Sequence, residues 1–100
     1  MKYLRLQEVS ERYGILVADL EALAREGLIE IKHTVDDDAV VSADDADKAR
    51  VARLLMDELD VNLAGAEVIV RMRAEMIAMQ RQFGKILEEL IQEIRHVVAR

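Results

Sequence analysis

No cysteine occurs among the 100 residues, so disulfides, thiolate metal sites and thiol catalysis are excluded. Proline is absent as well, which suits a mainly helical chain with few rigid turns. Glycine is confined to Gly14, Gly27, Gly65 and Gly84, too dispersed to form a phosphate-cradling loop. The two histidines, His33 and His96, lie far apart and belong to no spaced ligand cluster; both read as solvated imidazoles. No run approaches the roughly 20 apolar residues of a membrane span. The first eight residues, Met1-Lys2-Tyr3-Leu4-Arg5-Leu6-Gln7-Glu8, carry charges where a secretory signal would be apolar. The expectation is a cytoplasmic protein without a membrane partner. A basic surplus is also missing: 14 basic against 20 acidic residues give a net charge of −6. Nucleic-acid binders usually need a basic surface to neutralise phosphates, so the balance points to a basic partner or an uncharged one.

Hydrophobic residues make up 52% of the chain, enough to exclude disorder. A core this small is marginal alone, which makes oligomerisation an expectation. Charge divides the chain into three. Residues 1–34 hold five basic and six acidic side chains, 35–60 three and nine, and 61–100 six and five. The acidity therefore sits in the middle.

Leu6, Val9 and Tyr13 recur at helical spacing before Gly14, and Leu20, Leu23, Ala24 and Leu28 form a second stripe after it. Gly27 is placed to stop that second helix in a left-handed conformation. Two short helices joined by a glycine-containing turn make a helix-turn-helix. Residues 28–33 then read as a strand and Ala39-Val40-Val41 as its return across the acidic turn Asp36-Asp37-Asp38, a small β-hairpin wing. Ser42 opens a third helix, and Asp45 three residues on makes a capping-box variant. Asp44, Asp45 and Asp47 sit at the positive end of its dipole, and Ala49, Ala52, Leu55, Met56 and Leu59 supply its buried face. Asp60-Val61 breaks the pattern, and Asn62 is an N-cap for a fourth helix of about 37 residues, roughly 55 Å long.

The fourth helix carries apolar residues at Ile69, Met72, Met76, Met79, Phe83, Ile86, Leu90 and Val97, alternating three and four apart except where Glu93 interrupts. This is a heptad seam, and the methionines read as part of it. Leu87, Ile91, Ile94 and Val98 widen the apolar face near the end. The economical cover for so long a face is a second copy, giving a homodimer. The competing arrangement, an intramolecular helix pair, could draw only on the third helix, 43–59, which is half as long. Spacing leaves parallel and antiparallel pairing equally open. The chain thus divides into a head, 1–60, and a long dimerisation helix, 61–100.

Nothing in the sequence supports catalysis or a cofactor. Ser42 is explained as a cap, and Ser10 lies within a short helix with no base in view. Asp36-Asp37-Asp38 lacks the alternating ligands, central glycine and distant glutamate of a calcium loop. It reads as a solvated turn, with electrostatic contact to a basic partner as its second reading.

Three segments carry a family resemblance: Val9-Ser10-Glu11-Arg12-Tyr13-Gly14-Ile15, Leu20 through Glu26-Gly27-Leu28-Ile29, and Leu59-Asp60-Val61-Asn62-Leu63-Ala64-Gly65. With the order of elements, they resemble the MerR-type winged helix-turn-helix superfamily over nearly the whole chain. The resemblance implies a mainly α fold: a MerR-like winged helix-turn-helix head with a small β-hairpin wing, then a long C-terminal dimerisation helix. DNA-binding members usually carry a basic second helix and arginines about the wing. Here Asp19-Leu20-Glu21 stands in that helix and Asp36-Asp37-Asp38 in the wing. Leu16 and Val17 occupy the turn where DNA readers often have a capping Ser or Thr; they read equally as a protein contact or as residues folded onto the core. Within the superfamily the chain resembles the CbpM-like chaperone modulators, to which Leu55-Met56-Asp57-Glu58-Leu59-Asp60 and the long charged helix are also similar. That resemblance implies a non-enzymatic protein that binds the J-domain of a DnaJ-like co-chaperone and blocks its engagement of Hsp70. The partner-binding residues expected are Leu16, Val17, Asp19, Leu20 and Leu23, with Asp36, Asp37 and Asp38 steering. The alternative is a MerR-type DNA-binding transcriptional regulator, whose contacts would fall to Lys2, Arg12, Arg25 and Lys32.

Overall fold

The computed structural model describes residues 2–99; Met1 and Arg100, the outer bounds of the two expected regions, lie outside them. Element order is β1 (Tyr3–Arg5), α1 (Leu6–Tyr13), α2 (Val17–Arg25), β2 (Lys32–His33), β3 (Ala39–Ser42), α3 (Ala43–Glu58) and α4 (Leu63–Val98). The chain is therefore mainly helical, with a helix-turn-helix head, a small antiparallel sheet and a long C-terminal helix, as the sequence implies.

The helix-turn-helix is closed by backbone geometry. Gly14 ends α1 at φ 65°, and the Ile15 amide bonds the Ser10 carbonyl at 3.1 Å. Ser10 then donates its hydroxyl to the Ile15 carbonyl at 2.5 Å, so it is a brace within the turn. Gly27 ends α2 at φ 79° in a paired-bond cap: its amide bonds Ala24 and the Leu28 amide bonds Leu23, both at 3.0 Å. Leu23 and Leu28 are both buried, the apolar contact that such a cap favours.

The cap explains why the expected strand at 28–33 is shorter. Leu28 and Ile29 leave the helix inward as core residues, and only Lys32 and His33 pair with β3, opposite Val40 and Ala39. The Glu30 amide goes to the Asp45 carboxylate at 2.9 Å instead of a strand. The hairpin also gains a strand that sequence reading did not expect: β1 pairs antiparallel with β3, giving the order β1-β3-β2. Leu4 lies opposite Val41, and both point into the core.

α3 begins as its cap requires, with Ser42 Oγ accepting from the Asp45 amide at 3.1 Å. The reciprocal half of the capping box is not formed, because the Asp45 carboxylate holds Glu30. The buried face of α3 is Ala46, Ala49 and Ala52; their small side chains let the neighbouring elements come close. Leu55 and Met56 are half-buried, while Leu59, expected inside, is exposed, because the chain turns away through Asp60 at φ 52°. Asn62 caps α4 by accepting from the Gly65 amide at 2.8 Å. A side chain on Gly65 would meet Val61 Cγ1 at 2.8 Å, so glycine permits the tight entry into α4.

The core of 14 residues runs from Leu4 to Val70 and includes Ala66 and Val70 of α4. The first two turns of the long helix are thus part of the head's packing. Beyond Val70 no described residue is buried, and α4 extends the molecule to 61 Å.

Candidate functional site

The surface at the N-terminus of α2 gathers some of the expected contact residues and withdraws others. Leu16 is the N-cap of α2 and makes no side-chain cap bond; it is 69% exposed. Val17 is half-buried against the core, which decides between its two readings in part for each. Asp19 is exposed and forms no ion pair among the described residues. Leu20 and Leu23 do not belong on this surface. They are 0% and 3% exposed, packed in the core with Val9, Val41 and the α3 alanines. The α2 stripe faces the head's own interior, so both leucines position α2; Leu20 is closed off entirely, and Leu23 reaches only the floor of the adjoining hollow. The exposed charged residues of α2 are Asp19, Glu21 and Arg25, with Glu26 at its C-cap.

Two hollows flank this helix start. One, about 230 Å³, lies between the α1–α2 turn, α3 and the start of α4, and its lining includes Leu16, Asp19, Leu23, Ala52, Met56 and Leu63. The other, shallower, brings Val17 together with Arg5 and Asp38 of the sheet. Asp38 alone of the acidic wing triplet is therefore near α2, and it also lies 3.8 Å from the Arg5 guanidinium. Asp36 and Asp37 are exposed at the tip, with Asp37 at φ 64° in a turn closed by Thr34. Val35 beside them is fully exposed, an apolar tip that the acidic pattern hides in the sequence.

Most cations of the head are exposed but held by a neighbouring group. Arg12 bonds Glu8 at 3.2 Å. Lys32 donates to the Tyr3 hydroxyl at 3.3 Å and lies 5.5 Å from the ring centroid. Its amine is held above its ordinary pKa, chiefly by that hydrogen bond and the Tyr3 oxygen, then by Glu30. Arg53 donates to the Gly14 carbonyl at 3.0 Å and pairs with Asp57 at 3.2 Å. Arg71 of α4 donates to the Glu26 carbonyl at 2.9 Å and pairs with Glu67 at 2.7 Å. Each of these two arginines thus sits on the negative end of a short helix, α1 or α2, where a cation is favoured. Sequence reading missed both roles, since the partner carbonyls lie 39 and 45 residues away. Of the four candidate DNA contacts, Lys2 and Arg25 remain without an ion pair or side-chain hydrogen bond among the described residues.

The seam of α4 lies open. Ile69, Met72, Met76, Met79, Phe83, Ile86, Leu90 and Val97 are between 40% and 69% exposed, and the second stripe, Leu87, Ile91, Ile94 and Val98, is exposed beside them. No intramolecular helix covers them: α3 packs on α4 only near its start, where Ala66 and Val70 are buried. Among the described residues no group of three or more His, Cys, Asp or Glu is gathered to hold a metal, and no helix is long and apolar enough to cross a membrane.

Neither the curated proteins nor the solved structures contain a significant match to the chain. One family model does match, described as MerR HTH family regulatory protein, and it spans residues 4–97. That span takes in all of the three-stranded sheet but Tyr3, the helix-turn-helix and nearly all of the long helix, and the chain belongs to the MerR HTH family of regulatory proteins.

Proposed function

We propose that this chain is a non-enzymatic, cytoplasmic chaperone modulator that binds the J-domain of a DnaJ-like co-chaperone and blocks its engagement of Hsp70. The carrying observation is the acidic balance of the exposed residues of α2. On a helix-turn-helix frame this helix meets the partner, and here it offers Asp19, Glu21 and, at its C-cap, Glu26 against Arg25 alone. Each carboxylate facing a phosphate repels it and releases no counterion. The same carboxylates attract a basic protein surface and speed its approach. Leu16, exposed at the head of the helix, adds the apolar element of a protein contact. The resemblance to CbpM-like proteins names the J-domain as that basic partner.

The working unit of this proposal is a homodimer joined along α4. Twelve exposed apolar side chains on one helix make a face far larger than the patches that soluble monomers usually leave open.

Calorimetry with the isolated J-domain of a DnaJ-like protein tests the reading. Saturable binding is expected, weakened by Asp19→Lys and by joint charge reversal of Asp36, Asp37 and Asp38. Absence of binding overturns it. The family membership favours a second reading, DNA-binding transcriptional regulation. Tight, salt-sensitive binding to promoter DNA through Lys2 and Arg25, seen in a gel-shift titration, would establish that reading instead.

A further inference from the structure

We propose that the cleft between the α1–α2 turn, α3 and the start of α4 is a socket for one large apolar side chain on a basic helix of a partner protein, with Asp19 holding the cation beside it. The proposal deepens the protein-contact reading above and rests on it, by naming where the partner seats and what it must present.

The floor of the cleft is apolar and fixed. Leu23, Ala49 and Ala52 line it, and all three are buried core residues. Its walls are adaptable: Met56 and Leu63 are half-buried, and a thioether reshapes around what it touches. Leu16 stands at the rim, 69% exposed, ready to lose that area on contact.

Size argues for a side chain over a free ligand. The volume is about 230 Å³, below the roughly 300–1,000 Å³ of small-molecule pockets. Charge argues for a basic bearer. The rim holds Asp19, Asp57 and Arg53. Arg53 is engaged by Asp57 and by the Gly14 carbonyl, so the carboxylate of Asp19 sets the net sign. A basic protein surface is drawn to a rim of that sign. A helix that offers one apolar anchor, with Lys or Arg a turn away, meets both demands.

The test uses the full chain, isotope-labelled for NMR, and a helical peptide of lysine and alanine bearing a single phenylalanine. Amide shifts are expected at Leu16, Asp19, Met56 and Leu63. Replacing the peptide's phenylalanine by alanine should weaken binding by about tenfold or more. Asp19→Lys, an exposed change that leaves the core intact, should weaken it by about fivefold and flatten its salt dependence. Shifts confined to α4, equal affinity for both peptides, or an unaltered Asp19→Lys variant would each overturn the socket. A change in self-association in place of peptide affinity would assign the cleft to a second copy and overturn it too. The J-domain measurement is separate. Peptide seated in the cleft without J-domain binding keeps the socket and removes the J-domain. J-domain binding indifferent to Asp19→Lys, with a peptide that does not seat, does the reverse.

Discussion

The head and the distal part of α4 solve the same problem in opposite ways. Within residues 4–70 every buried side chain is apolar and is covered by elements of the same chain. From Met72 onward the apolar residues are as regular as those of the head, yet no described residue is buried. The head closes because its elements are short and turn back on one another; α4 cannot, since a single straight helix has no second surface to meet its own stripe. Packing in the head is therefore intramolecular, while the distal part of α4 finds no cover within its own chain among the described residues.

That contrast can be broken or sharpened by substitution. The largest effect is expected from Ile86→Glu with Leu90→Glu. Each change removes an apolar side chain from the proposed pairing face, together at least about 4 kcal/mol of association. Sedimentation equilibrium should then report monomers while the head remains folded; a dimer that persists would place the interface elsewhere. Next comes Leu20→Ala, at a position 0% exposed. It should cost about 3 kcal/mol of head stability in denaturant unfolding without changing self-association measured below the transition. A smaller effect, about 1 kcal/mol, is expected for Ser42→Ala, which removes the cap accepted from Asp45. Its thermal midpoint should fall, and amide exchange should quicken in the first turn of α3. The smallest is Leu16→Ser. Its side chain is already exposed, so stability should move by less than about 0.5 kcal/mol, while partner affinity falls. A loss of stability as large as that of Leu20→Ala would return Leu16 to the core.

What sequence could reveal divides along the same line. Ser42, Asn62, Gly14 and Gly27 were legible because a cap is a local bargain between residues three to five positions apart. The α4 seam was legible because its period persists over 30 residues. β1 was not: its three residues run straight into α1, and their partner strand ends at Ser42, far along the chain. The sequence does not separate core from contact at Leu20 and Leu23, because an amphipathic stripe looks the same whether it faces its own core or a partner. Asp45 was assigned to its own helix end, but its carboxylate reached the Glu30 amide across the fold. Of the candidate site, Leu16 and Asp19 stand out in the sequence by their departure from a basic, capped pattern. Met56 and Leu63 were not found as its walls, because only folding brings α3 and α4 beside the α1–α2 turn.

The hydrogen bond from Arg71 to the Glu26 carbonyl has a mechanical consequence. A helix of 36 residues is a rigid rod of about 54 Å, and Arg71 grips it near its pivot. A tilt of about 7° there would sweep the free tip, about 40 Å away, through about 5 Å, close to one helical turn. The fastening of α4 to the end of α2 is thus the short arm of a lever, and the exposed apolar seam beyond Val70 rides on the long arm. Force applied to the outer face of α2 would be read, magnified, at the far end of α4.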